Sequence, residues 1–184
     1  MAKIWSRRGV QLFCSALMCI YISNQPLSKR LNLRGTEYCA CANLRKAARA
    51  VTQLFDSALK PTRLRSTQFA LLVAIAKLAP VAIGRLAQIL VIDRTTLTRS
   101  LRLMERHDLI AISRRSSMRK RFVSLSPKGS EALSRSLPLW REAQRHFVDH
   151  VGEQYWRSMQ EELGKLSNVT RDLEKAAKRA GSTL

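Results

Sequence analysis

DRTTLTRSLRLMERHDLIAISRRSSMRKRFVSL, residues 93–125, decides the fold. Its first half repeats with a helical period. Leu97, Leu101 and Met104 recur at i, i+4 and i+7, so one face is apolar. Thr95, Arg99, Arg102 and Arg106 fall on the opposite face, which makes a helix over 93–107 with an apolar keel and a Thr/Arg crest. Asp93 is placed to cap it, because its carboxylate can accept orphan amides of the first turn. The second half predicts a β-hairpin. Ile110 and Ile112 alternate outward, Val123 and Leu125 alternate on the return, and the tip between them carries Arg114, Arg115, Arg119, Lys120 and Arg121. A Thr/Arg-faced helix followed at once by an arginine-tipped hairpin suits duplex DNA. The helix fits a major groove, and the hairpin runs along the backbone or into the minor groove.

The charge balance points the same way. Lys and Arg number 33 against 13 Asp and Glu, a net charge of +20, which favours a polyanionic partner and salt-sensitive association. At 184 residues, with 46% apolar content, the chain is long enough for one domain with a real core. Charge alone also fits a general RNA- or ribosome-binding basic protein, which stands as the alternative.

Outward from that stretch, the chain divides into four parts. Residues 1–36 contain no acid and join a basic start (Lys3, Arg7, Arg8) to an apolar run from Val10 to Ile22. That run is shorter than the roughly 20 residues a membrane span needs, and no clean small-x-small cleavage site follows it. It reads as an N-terminal extension, with no membrane partner expected. Residues 37–60 form a helix with a stripe of Leu44, Ala47, Val51, Leu54 and Ala58, ended by Pro61. Residues 61–126 hold a helix capped by Ser66, a break at Pro80, a short helix over 82–90 and the reading unit. Residues 127–184 are helical, beginning at Ser126-Pro127, with Pro138 inside and a long seam of Trp156, Met159, Leu163, Leu166, Val169 and Leu173. So long an apolar seam favours burial against a second copy, giving a homodimer through the first and last helices.

Two smaller groups bear on chemistry. Cys39 and Cys41 form a C-x-C beside Arg34, Arg45 and Lys46. They read either as a redox pair acting across a dimer or as two small apolar residues packed in a helix. Glu142, His146 and His150 share a helix face at i, i+4 and i+8, a spacing that could hold a metal, but no further ligand cluster accompanies it and no metal site is assigned. G-x-S-x-G, H-E-x-x-H and a phosphate-binding glycine loop are all lacking, so neither an enzyme nor a cofactor is expected.

The order of these pieces resembles the MarR family of bacterial winged helix-turn-helix transcriptional regulators. The likeness covers about Glu37 to Lys178 and rests on NLRKAARAVTQLFDSAL, LRSTQFALLVAIAKL, IGRLAQILVIDRTTLTRSLRLMERHDLI and RKRFVSLSPKG. It implies a mainly α fold with a small two-stranded β-wing, and a dimer formed by the N- and C-terminal helices. It also implies a pseudo-palindromic operator, repression more often than activation, and release by a small-molecule or oxidant signal. By position, Arg94, Thr95, Thr96, Thr98 and Arg99 fall where the family touches bases and nearby phosphates, and Arg119 falls where it places its wing arginine. The family usually carries an acid two positions before that arginine, where this chain has Ser117. An effector, small and aromatic, would sit between the dimer helices and the reading unit, where Phe55, Phe69, Trp140 and Phe147 are candidate linings. Such a regulator works in the cytoplasm, at the nucleoid.

Overall fold

A computed structural model describes residues 32–114 and 121–181. The described chain divides into two units between Lys46 and Ala47. In the described part of the first, a single 3-10 turn at Thr36–Tyr38 leads into the opening turns of helix α1 (Ala40–Leu59). The helix therefore begins at Ala40, after Cys39, and not at Glu37. Asn43 ties this start down by donating its side-chain amide to the carbonyls of Glu37 (2.9 Å) and Cys39 (3.0 Å).

The second unit holds the core. After α1, a 3-10 turn at Lys60–Thr62 contains Pro61, and helix α2 follows (Ser66–Leu78). Ser66 is the first residue of α2 and not its cap. The capping acceptor comes from α1, where Asp56 Oδ1 receives the Ser66 amide at 2.6 Å, and Gln68 Oε1 receives the Arg65 amide at 2.9 Å. Burial alone would push the Asp56 carboxyl up; the Ser66 amide and hydroxyl and the Arg65 guanidinium outweigh it and hold the carboxyl below its usual range.

Beyond Pro80 come strand β1 (Val81–Ala82), helix α3 (Ile83–Leu90) and helix α4 (Arg94–Arg106). The α3–α4 turn passes through Val91 in a left-handed conformation (φ 52°), and the Ile92 amide returns to the Ala87 carbonyl at 3.0 Å. Strands β2 (Ile110–Arg114) and β3 (Arg121–Leu125) pair antiparallel as the hairpin periodicity predicts, Ile110 opposite Leu125 and Ile112 opposite Val123. The two-stranded wing gains a third strand at its base: β1 pairs with the other edge of β3, Val81 opposite Val123, giving a three-stranded sheet of order β1-β3-β2.

The sheet and helices close over one core. Leu59, Leu72, Ile75, Leu86, Leu97, Leu101, Met104 and Val123 are fully buried in it. Helix α5 (Pro127–Val151) starts as expected, with Ser126 as cap: its hydroxyl accepts the Gly129 amide at 2.9 Å and donates to the Asp108 carbonyl. The helix continues through Pro138. Helix α6 (Glu153–Arg179) carries the long apolar seam, and in the single chain that seam is uncovered: Leu163, Leu166, Val169 and Leu173 are 38–58% exposed.

Candidate nucleic-acid interface

Helix α4 is oriented by its underside. Leu97, Leu101 and Met104 have no exposed surface, and the helix packs against α3 and β2. Fixing those three side chains fixes the rotation of the helix, so the other face turns outward. Its N-terminus is capped as the sequence predicts: Asp93 Oδ1 accepts the Thr95 amide at 2.8 Å and the Thr96 amide at 3.0 Å. The Thr96 amide, more than any other group, holds the Asp93 carboxyl below its usual range, with Thr95 adding to the effect. The Asp93 carboxylate is thereby committed to the helix itself.

Arg94, Thr95, Thr96, Arg99, Arg102 and Arg106 are exposed on the outward face, and Thr98 is half-buried. A shallow hollow of about 630 Å³ runs along it, lined by Arg94, Thr95, Thr98, Arg99, Arg102, Glu105 and Arg106. Among the described residues, none of these guanidinium groups is in an ion pair. Thr98 donates its hydroxyl to the Arg94 carbonyl at 2.7 Å. The row offers several charge-bearing planar donors on one rigid element, which is what hydrogen bonding to guanine edges and phosphates requires.

A second hollow of about 440 Å³ opens where α3, α4 and β3 begin. Arg94 and Arg121 line it, as do Arg85 and Gln88 of α3, which the sequence reading did not single out. Their signal was a polar stripe: Gly84, Arg85 and Gln88 face away from Ile83, Leu86 and Ala87, which are buried. That stripe reads equally well as a solvated helix surface until the fold brings Arg94 and Arg121 beside it. Of the remaining wing residues, Arg114 is paired through its backbone with Arg121 at the end of the hairpin, and Arg115, Arg119 and Lys120 lie outside the described residues.

The other candidates are dispersed. Phe55 and Phe69 are buried, and Trp140 stacks on Phe69 with ring centroids 5.7 Å apart. Phe147 meets Trp156 edge-on at 5.2 Å. None of the four lines either hollow. Cys39 and Cys41 are both exposed free thiols, so the reading as packed apolar residues does not hold for the single chain. Only Cys41 is helical, because Cys39 precedes α1. His146 lies 3.8 Å from Glu142, and a His150 ring nitrogen lies 2.7 Å from the His146 carbonyl. Among the described residues no group of three potential ligands gathers as a metal site would, and no helix is long and apolar enough to cross a membrane.

No family model matches the sequence, and no curated protein does. Solved structures do. The chain is 33% identical to the M. tuberculosis transcriptional regulator MosR, solved in complex with DNA, with a TM-score of 0.67 over 73% of this chain and 98% of that one. AbsC from Streptomyces coelicolor, described as a MarR family transcriptional regulator, matches at 22% identity with a TM-score of 0.64, covering 76% of this chain and 97% of that one. A mutant MarR from E. coli, complexed with operator DNA, matches at 16% identity with a TM-score of 0.62, over 78% of this chain and 99% of that one.

Proposed function

Because the chain belongs to the MarR family of winged-helix transcriptional regulators, we propose that it binds a pseudo-palindromic DNA operator as a homodimer and represses the adjacent gene. The observation that carries this reading is the outward face of α4, a row of threonines and of arginines without an ion pair among the described residues, on a helix whose underside is fully buried. Each subunit lays α4 in a major groove with its wing beside it, and the two helices sit about one DNA turn apart, roughly 34–36 Å. The dimer forms through α1 and α6; the uncovered seam of Leu163, Leu166, Val169 and Leu173 supports that pairing. With duplex DNA as its partner, the protein works in the cytoplasm at the nucleoid.

Arg99 is the residue assigned to base reading. Arg99→Ala should cost about 1–3 kcal/mol of operator binding and relax discrimination at one base position. Binding isotherms on the operator and its single-base variants check this. An equal loss on every sequence assigns Arg99 to phosphate instead. The alternative, a general RNA-binding protein, requires bulk RNA to compete as well as the operator does.

Release by an oxidant is supported by the exposure of Cys39 and Cys41 in a basic setting, with Arg34, Arg45 and Lys46 close in sequence. Peroxide should lower operator binding of the wild-type protein and leave the double Cys→Ser variant unaffected, as read by thiol labelling alongside gel shift. Unaltered binding by fully oxidised protein rejects the switch. Release by a small aromatic effector is the second possibility, with Phe55, Phe69, Trp140 and Phe147 as the side chains it would rearrange.

A further inference from the structure

The geometry points to the hollow at the start of α3 as the seat of one phosphodiester of the DNA backbone per subunit, held by Arg85, Gln88, Arg94 and Arg121. This assignment rests on the DNA-binding reading and adds Arg85 and Gln88 to it.

Three arginines line one hollow from three elements: Arg85 from α3, Arg94 from the first residue of α4 and Arg121 from the first residue of β3. Like charges gathered in one place repel one another, and among the described residues no carboxylate pairs with any of the three. Asp93 is adjacent in sequence, but it accepts the Thr95 and Thr96 amides. An oxyanion is the group that offsets this charge, and the planar fork of arginine matches the oxygens of phosphate. Gln88 adds an uncharged donor.

Ala82, Ile83 and Gly84 form the remaining wall, and at Gly84 it is open: a Cβ built there would meet nothing within 4 Å. Such a wall lets a polymer strand pass through, where a capsule for a compact ligand would close over it. The position agrees, because the helix preceding the reading helix is the one that crosses the backbone. Arg94 borders both hollows, which joins the backbone seat to the groove-facing row.

Operator binding of the full-length wild-type protein, Arg85→Ala and Gln88→Ala is measured across a salt series, with melting curves to confirm that each variant folds. Arg85→Ala should flatten the plot of log affinity against log salt by about one. Gln88→Ala should weaken binding at every salt concentration without changing the slope, since it removes no charge. A set of duplexes, each with one methylphosphonate in place of a phosphate, should contain one position per half-site that weakens the wild type and not Arg85→Ala.

A wild-type slope and a wild-type methylphosphonate profile in Arg85→Ala would overturn the seat while leaving the DNA reading in place. If Arg85→Ala keeps the wild-type slope but loses binding of inorganic phosphate in a titration without DNA, the hollow serves a free oxyanion and the backbone assignment is wrong. A wild-type protein that binds no duplex removes the DNA reading itself, and this assignment with it.

Discussion

Leu101→Ala should lower the stability of the folded protein by about 2–5 kcal/mol, the range for truncating a buried leucine. Leu101 has no exposed surface and lies between Leu97 and Met104 on the face of α4 that meets α3 and β2. The truncated side chain leaves a void between rigid elements, so the cost includes both the lost transfer energy and the lost contacts. Urea unfolding at fixed protein concentration measures it as a lower midpoint with an unchanged slope. Arg102→Ala, one position along the chain on the opposite face, should stay within about 0.5 kcal/mol of wild type. A Leu101→Ala protein as stable as wild type would mean that α4 is not fastened by its apolar side.

Gly129→Ala should also destabilise strongly, by roughly 3 kcal/mol, the upper end of the usual cost of overpacking. A Cβ at Gly129 would lie 1.8 Å from the Leu109 carbonyl oxygen and 2.7 Å from its carbon. Both are backbone atoms, so no side-chain rotation relieves the clash. The site is a junction: the Leu109 amide donates to the Met104 carbonyl, the Ser126 amide donates to the Leu109 carbonyl, and the Gly129 amide donates to the Ser126 hydroxyl. The end of α4, the root of the hairpin and the start of α5 meet there. In an open helix the same substitution stabilises by roughly 0.5–1 kcal/mol. The sign of the change in a denaturation curve therefore decides the matter, and a gain in stability would show that α5 does not seat on Leu109.

What was legible in the sequence was carried by local period and local chemistry. The keel of α4, its Asp93 cap, the alternation within β2 and within β3 and the Ser126-Pro127 start each need only residues a few positions apart. What was not legible depends on residues distant in the chain. β1 is two residues long, too short to show a period, and exists because β3 pairs with it from some forty positions away. Ser66 looked like a cap because serine usually is one, but Asp56 supplies the acceptor from the preceding helix. The arginine hollow needs α3, α4 and β3 to converge, and an Arg85 on a solvated helix face gives no hint of that. The ring contacts of the aromatic candidates were not legible either, because the partners of Phe69 and Phe147, Trp140 and Trp156, lie 71 and 9 positions away.

The central claim is that the outward face of α4 reads a DNA sequence. Selection of bound duplexes from a random pool by the purified full-length protein, at moderate salt and with bulk RNA present, tests it most directly. The account predicts enrichment of an inverted repeat whose half-sites lie about 10–10.5 base pairs apart, centre to centre, with enrichment lost at one base position in Arg99→Ala. A pool that stays random, or binding that bulk RNA removes as readily as DNA does, would contradict it.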